Sequence, residues 1–250
     1  MSQQQDEMPT LEGMMTALPA TILNLLDVDI PPFLTPPIQT LIDLFKPRGI
    51  NRIIINLIDQ FGLFEITVHK PPFLISQADA LVLLSTSNPY LHGVLFNTFF
   101  GGFDFEPNGF HLLRHLQEHG KSTVFVGRER DIQRYNGGTP SIAKSTDMAT
   151  WIEGAKVVNR NDLSILHYLD FEDISAKGQK TSAKNLEELS QKLIKRTDKW
   201  LKSTFLQLRS KSLMVVLSNH GRYKIDLNYQ GKAGEWRSAS VPLAIFMYKE

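Results

Sequence analysis

Polar side chains stand directly after three apolar, β-branched stretches of this sequence. Asp59, Asp170 and the pair Asn219 and His220 each follow one of them. Carboxylate, amide and imidazole groups are ligands for divalent metal ions. Because the carboxyl ends of parallel strands meet at one edge of a sheet, the three positions are expected to converge there. A metal site is one interpretation, and simple polar capping of buried strands is the other.

The chain contains no cysteine. This excludes disulfides, thiolate metal ligands, cysteine nucleophiles and iron–sulfur clusters. Any metal ion must therefore bind to His, Asp, Glu, Asn or Gln side chains.

Three histidines, His111, His115 and His119, recur at helical spacing within one segment. A His pair four residues apart is the geometry of helical zinc sites, which also need a nearby carboxylate. Glu118 lies off that helix face. We therefore interpret the three histidines as surface side chains.

The elements that would position these residues alternate between strand and helix. Apolar β-branched runs predict strands, and apolar residues at helical spacing predict helices. The predicted strands are 53–58, 122–126, 165–169, 213–217 and 241–247, and the predicted helices are 78–84, 109–119, 148–154 and 184–208. The alternation predicts the α/β class, with a mainly parallel central sheet in a three-layer α/β/α arrangement.

The N-terminal part of the chain differs in pattern from the rest. Residues 1–48 are predicted to form a helical and proline-rich segment packed on the body, and residues 49–250 the main domain. The apolar stretch 14–26 is broken by Pro19 and is shorter than the roughly 20 residues that span a bilayer, so no membrane span is predicted. The first residues lack a basic region typical of secretory signals, so a cytoplasmic location is expected.

Charge gives no strong indication of a nucleic-acid partner. Lys plus Arg number 27 against 26 Asp plus Glu, a formal net charge of +1. The basic stretch 192–211 is diluted by acidic neighbours, and the mixed-sign loop 128–131 is interpreted as solvent-exposed. The phenylalanine-rich segment 96–110 is either core or an apolar binding surface.

The order of motifs resembles that of the alkaline phosphatase superfamily. The strings that carry the resemblance are Ile54-Ile55-Asn56-Leu57-Ile58-Asp59-Gln60-Phe61-Gly62, the segment 76–94 with its His92-Gly93-Val94, Tyr168-Leu169-Asp170, Val215-Val216-Leu217-Ser218-Asn219-His220-Gly221 and Val241-Pro242-Leu243-Ala244-Ile245. The resemblance implies an alkaline phosphatase-like fold. It also implies a site for hydrolysis of phosphoric esters, with metal ions and a nucleophilic Thr or Ser.

Several residues depart from the pattern that the resemblance implies. The nucleophile position falls on Gln77, which cannot form a phosphoryl intermediate, and Ser76 substitutes only if the register differs by one residue. Ile174 stands where a metal-binding His is expected, and Asn219 where an Asp is expected. No histidine follows His220.

The resemblance and its departures together lead to a functional hypothesis. Asp59, Asp170, Asn219 and His220 are predicted to form a vestigial or single-ion metal site, because two neighbouring dications need more carboxylates than remain. We expect no cofactor, or else one Zn²⁺, Mn²⁺ or Mg²⁺ ion.

Three functions stay open at this point. The first is a pseudoenzyme with a binding or assembly role. The second is a residual metal-dependent hydrolase of phosphodiesters or phosphomonoesters. The third is a structural subunit that binds a protein partner or a second copy through segments 96–110 and 31–37.

Overall fold

Eight strands form one sheet in the computed structural model, which describes residues 10–86, 91–102, 109–177, 183–219 and 240–248. The strands are β1 (Thr10–Met14), β2 (Arg52–Ile58), β3 (Ala80–Ser85), β4 (Thr123–Gly127), β5 (Ser141–Ala143), β6 (Leu163–Tyr168), β7 (Ser212–Ser218) and β8 (Ser240–Met247).

The strand order is β1-β3-β8-β7-β2-β6-β4-β5. Strand β8 is antiparallel to both of its neighbours, and all other pairs are parallel. In the centre, Ile55 of β2 is aligned with Ile165 of β6 and Val215 of β7. The carboxyl ends of these three strands are therefore side by side at one edge.

Helices cover both faces of the sheet. They are α1 (Leu18–Leu25), α2 (Gln39–Phe45), α3 (Leu63–His69), α4 (Pro72–Gln77), α5 (Leu91–Phe100), α6 (Leu112–Glu118), α7 (Glu129–Tyr135), α8 (Asp147–Val157), α9 (Asp170–Lys177) and α10 (Ala183–Phe205). Helices α1, α2, α5, α6 and α7 pack on one face, and α3, α4, α8, α9 and α10 on the other. The structure confirms the predicted three-layer α/β/α class.

The burial of strand β2 on both faces explains why the central strands have continuous apolar sequences. Ile53, Ile55 and Leu57 belong to the core under one helical layer, and Ile54 and Ile58 to the core under the other. A strand buried on both faces needs apolar side chains at successive positions. Each such side chain contributes about 1.5–3 kcal/mol of hydrophobic stabilisation.

Aromatic rings link α8 and α10 on the second face. Trp151 stacks on Trp200 with ring centroids 5.2 Å apart, and the Arg196 guanidinium lies 4.2 Å from the Trp200 ring centre. These contacts place Arg196 close to the carboxyl edge of the sheet, where its guanidinium group forms an ion pair.

The predicted helix 78–84 is wrong, because Ala80–Ser85 form strand β3 between β1 and β8. Ala80, Val82 and Leu84 are fully buried, and the intervening Leu81 and Leu83 are partly buried. A short apolar run fits a strand or a buried helix equally well by periodicity. The two flanking strands decide the outcome.

The N-terminal segment contributes to the sheet and to the core. Strand β1, which the sequence pattern did not predict, pairs in parallel with β3. In α1, seven of the eight residues are buried, and Thr21 Oγ1 accepts a hydrogen bond of 2.9 Å from the Ile38 N–H. The described part of residues 1–48 is therefore built into the domain.

The phenylalanine-rich segment 96–110 was expected to be either core or an apolar binding surface, and its described phenylalanines belong to the core or pack against it. Phe99 and Phe100 are buried in the core, and Phe96 and Phe110 pack against it. Residues 103–108 lie outside the described part of the chain. Within the described helices, none is long and apolar enough to cross a membrane.

Candidate functional site

Asp59 and Asn219 meet at the carboxyl edge of the sheet. Ile58 of β2 is aligned with Ser218 of β7, so the residues that follow these two strand ends are neighbours. Asn219 Nδ2 donates a hydrogen bond to Asp59 Oδ1. Both residues are buried, and Asp59 is only 2% exposed. The structure thus brings together two of the four residues proposed as metal ligands.

A backbone contact fixes the orientation of the Asn219 amide. The Gln60 N–H donates a hydrogen bond of 2.6 Å to Asn219 Oδ1. An N–H can be accepted only by the amide oxygen, so the NH₂ group must face Asp59. The side chain therefore presents a donor, rather than a metal-ligating oxygen, to the carboxyl group.

The environment of Asp59 favours its neutral form. Burial, which is the largest cause, and the negative charge of nearby Glu172 together raise the pKa of the Asp59 carboxyl to about 8. Asp131 acts in the same direction. A proton is thus retained at neutral pH on the carboxyl group that follows the central strand.

Asp170 is neutralised by arginines. It is the first residue of α9, and its Oδ2 accepts a hydrogen bond of 2.6 Å from Arg196 Nη2 of α10. Its Oδ1 lies 3.5 Å from Arg128 Nη2. Both carboxylate oxygens therefore face guanidinium groups.

Arg128 contacts three carboxylates through a single nitrogen. Its Nη2 lies 3.2 Å from Asp147, 3.5 Å from Asp170 and 3.5 Å from Asp173. Asp147 is buried and also accepts hydrogen bonds from the backbone N–H groups of Leu169 at 2.9 Å and Asp170 at 2.7 Å. This arginine acts as the central counter-ion of an acidic group beside the strand ends.

A second buried polar pair lies on the opposite face of β6. His167 Nδ1 is 3.3 Å from Asp131 Oδ2 of α7, and the imidazole is fully buried. Neither ring nitrogen forms a hydrogen bond with the described residues. The loop 128–131 was interpreted as solvent-exposed from its sequence, and this interpretation is wrong for Asp131, which is buried, and for Arg128, whose side chain is 15% exposed.

Gln77 and Ser76 lie far from Asp59 along the strand direction. They are exposed and are the last two residues of α4, which ends just before the segment 78–84 that was predicted as a helix. Helix α4 leads into the start of β3, which is parallel to β2 because β8 is antiparallel to both of its neighbours. The two residues therefore lie at the edge opposite to Asp59. Thr86, which follows β3, lies at the same edge as Asp59.

Of the two other positions singled out by the resemblance, the structure describes Ile174 but not His220. Ile174 lies on α9 and packs against the second core, as an apolar residue should. His220 and the segment that follows it to residue 239 lie outside the described residues, so the expected role of His220 stays a prediction.

The three helical histidines do not form one group. His111 is buried at the beginning of α6, and its Nε2 is 2.8 Å from the carbonyl oxygen of Tyr135. Burial lowers the pKa of His111 to about 4. His115 Nε2 contacts the Asp29 carbonyl oxygen, and His119 is exposed. The surface interpretation is correct for His119 and wrong for His111.

The described residues do not fit a two-metal centre. Within this part of the chain, no three His, Asp or Glu side chains are grouped so that they could hold a metal ion. The carboxylate oxygens that could bind a metal ion already have other partners. Asp59 accepts a hydrogen bond from an amide group, and Asp170 faces two arginines. The sequence did not point to Arg128, Asp147 or Arg196. The only available signal was that Arg128 comes two residues after the end of the predicted strand 122–126.

Comparison with solved structures identifies the fold. The chain is similar to the C-terminal periplasmic domain of EptC from Escherichia coli, solved in complex with Zn, at 14% identity and a TM-score of 0.53, over 80% of this chain and 73% of that one. It is also similar to a protein in the alkaline phosphatase superfamily from Vibrio parahaemolyticus, at 12% identity and a TM-score of 0.57, over 94% and 68% of the two chains.

A third similar structure is the lipoteichoic acid synthase LtaP from Listeria monocytogenes, at 13% identity and a TM-score of 0.53, over 92% of this chain and 71% of that one. Searches against protein-family models and curated proteins give no match. The structural similarity shows that this chain has the alkaline phosphatase-like fold.

Proposed function

We propose that this chain is a non-catalytic protein with the alkaline phosphatase-like fold and that it serves in binding or assembly. The observation that carries the proposal is the orientation of the Asn219 amide. Its NH₂ group faces the Asp59 carboxyl, and its oxygen is used by the Gln60 N–H. A metal ion at Asp59 would face this donor instead of a ligand oxygen.

The contacts of Asp170 support the same proposal. A metal ion would have to displace Arg196 and Arg128 from the two carboxylate oxygens. Guanidinium groups stay charged at all relevant pH values, so they do not yield their place by losing a proton. The second strand-end carboxylate is thus committed to internal ion pairs.

A residual hydrolase is the alternative that the experiment must separate. Such an enzyme would use one metal ion with Asp59, Asp170 and His220 and would activate water directly. The EptC structure was solved with Zn, and this is a property of that protein. For this chain, the internal hydrogen bonds of Asp59 and Asn219 favour the non-catalytic function.

Hydrolysis assays test the proposal. The purified chain is incubated with p-nitrophenyl phosphate and bis-p-nitrophenyl phosphate in the presence of Mn²⁺, Mg²⁺ or Zn²⁺. We expect turnover equal to that of the variants Asp59→Ala and His220→Ala. The matched control is Asp43→Ala, which removes an exposed carboxylate of α2. Turnover that both site variants abolish and Asp43→Ala preserves would refute the proposal.

Assembly is tested separately by light scattering of the purified chain and by isolation of stoichiometric complexes. We expect a defined oligomer or a stoichiometric complex with a protein partner. A monomer that forms no complex would contradict an assembly role and would leave binding of a small ligand as the function to examine.

A further inference from the structure

A crevice of about 790 Å³ opens outside the carboxyl ends of β4, β5 and β6. Three consecutive strand-to-helix connections form its walls. Arg128 comes from the first connection, Lys144 and Ser145 from the second, and Leu169 from the third. Crevices at this edge of a mainly parallel sheet are the usual ligand sites of α/β folds. None of the lining residues belongs to the Asp59 and Asn219 pair.

Arg128 is held in an orientation suited to ligand binding. Its three ion pairs all run through Nη2, and two of the carboxylates, Asp147 and Asp170, do not line the crevice. Neither Nε nor Nη1 of Arg128 forms a hydrogen bond with another described residue. The buried Asp147 and the partly buried Asp170 thus fix the side chain from behind, and the rest of its planar fork is available to an anion.

Two further cations line the same crevice. Arg130 is 64% exposed and Lys144 is 27% exposed. Arg130 pairs with Glu172 at 2.8 Å and with Asp131 at 3.6 Å, and Lys144 pairs with Glu153 at 2.9 Å. These three carboxylates lie outside the crevice, so each cation can also face a ligand within it. The exposed hydroxyl of Ser145 lies beside Lys144 and adds a neutral donor.

The remaining lining residues limit the size and charge of the ligand. Ala143, Ala149 and Leu169 provide an apolar surface. The volume lies within the range of about 300–1,000 Å³ that is typical of small-molecule sites. Glu129 and Asp173 also line the crevice and would repel a polyanion.

We propose that this crevice binds a small molecule that carries a single phosphate group. Arg128, Arg130 and Lys144 contact the phosphate oxygens, Ser145 donates a further hydrogen bond, and the apolar surface contacts the organic part. The proposal does not depend on whether the chain is catalytically inactive. None of the four proposed metal ligands lines the crevice, and Arg128 is the one lining residue that also pairs with one of them, Asp170.

Isothermal titration calorimetry of the full chain tests this proposal with inorganic phosphate, adenosine monophosphate and adenosine as probes. We expect the two phosphate-bearing probes to bind and adenosine not to bind. Tighter binding of adenosine monophosphate than of inorganic phosphate would show that the apolar surface contributes. No binding of either phosphate compound at millimolar concentration, or equal binding of adenosine, would overturn the proposal.

A matched pair of lysine variants separates the crevice from general electrostatics. Lys144 and Lys156 both pair with Glu153, at 2.9 Å and 3.2 Å, but only Lys144 lines the crevice. Lys144→Ala is expected to weaken binding of adenosine monophosphate about tenfold, as the loss of one charge-assisted hydrogen bond does. Lys156→Ala should leave the affinity nearly unchanged. Equal losses in both variants would refute a direct role of Lys144.

Arg128→Lys is the variant for the central residue. It keeps a positive charge beside the buried Asp147, so the fold is preserved, but it removes the planar fork. We expect Arg128→Lys to weaken binding of adenosine monophosphate at least as much as Lys144→Ala does, with an unchanged circular dichroism spectrum. A folded Arg128→Lys protein with wild-type affinity would contradict the proposed contact.

Discussion

Asn219 donates its side-chain N–H to the buried carboxyl of Asp59, and the oxygen of the same amide accepts the Gln60 N–H. The two residues follow the adjacent parallel strands β2 and β7, so the sheet itself sets their proximity. The hydrogen bonds between these residues make the carboxyl group part of the internal structure. This arrangement has consequences for stability that can be measured without knowledge of a ligand.

The first prediction concerns the pH dependence of stability. The native pKa of Asp59 is raised to about 8, and that of an unfolded Asp is about 3.9. Between these values the native state binds more protons than the unfolded state, so the contribution of Asp59 to stability falls as pH rises. The limiting slope is about 1.4 kcal/mol per pH unit. Asp59→Asn cannot ionise and should lack this contribution.

Urea unfolding of both proteins between about pH 5 and pH 8 measures this difference. The wild type should lose stability relative to Asp59→Asn as pH rises, and the gap should be smallest at the acidic end. Parallel stability curves for the two proteins would show that Asp59 has an ordinary pKa in the native state.

The second prediction concerns added metal ions. A divalent ion bound at Asp59 would stabilise the native state in proportion to its occupancy, and Asp59→Asn would remove that effect. Since the amide donor of Asn219 faces the carboxyl group, we expect the same melting temperature with and without Mn²⁺ or Zn²⁺ in both proteins. Thermal scans by circular dichroism provide the measurement. A metal-induced rise in the wild type alone would place an ion at Asp59.

The sequence was sufficient to predict the central strands but not β3. Strands such as β2 are buried on both faces, which produces continuous β-branched runs that are easily recognised. The run that forms β3 has the same local character as a buried helix. Its conformation depends on pairing with β1 and β8, which are distant in the sequence. Because this segment was predicted as a helix, the edge of the sheet at which Gln77 and Ser76 lie was not recognised either.

Sequence position located Asp59, Asp170 and Asn219 because polar residues after parallel strands must lie at one edge. It could not show what each group contacts there. The arginine that pairs with Asp170 at 2.6 Å comes from the long helix α10, 26 positions away. Such pairings depend on helix docking, and a single sequence does not reveal them.

The third prediction concerns the role of Arg128 in stability. Arg128→Ala would leave the buried carboxylate of Asp147 without its ion-pair partner and would remove one of the two guanidinium groups beside Asp170. Breaking a buried pair in this way costs about 3 kcal/mol. Urea unfolding should show this loss near neutral pH. The control is Arg130→Ala, whose exposed side chain should contribute less than about 1 kcal/mol.

Removal of the acidic partner provides a second check on Arg128. In the double variant Arg128→Ala/Asp147→Asn the buried residue 147 carries no charge, so part of the lost stability should return. If the double variant is as unstable as the sum of the two single variants, the cost arises from packing of the Arg128 stem and not from its charge.

The fourth prediction concerns the contact between α10 and α4. Asp198 is buried, and its two carboxylate oxygens accept the backbone N–H groups of Phe73 and Leu74, each at 3.0 Å. These N–H groups belong to the first turn of α4 and have no partner within that helix. Asp198→Ala should lower the free energy of unfolding by about 2 kcal/mol, as the loss of a helix N-cap does. Asp198→Asn keeps one acceptor oxygen and should lose about half as much. Lys199→Ala, an exposed neighbour on the same helix, should leave stability unchanged in the same urea titration, and equal losses at positions 198 and 199 would assign the effect to helix propensity instead of to the cap.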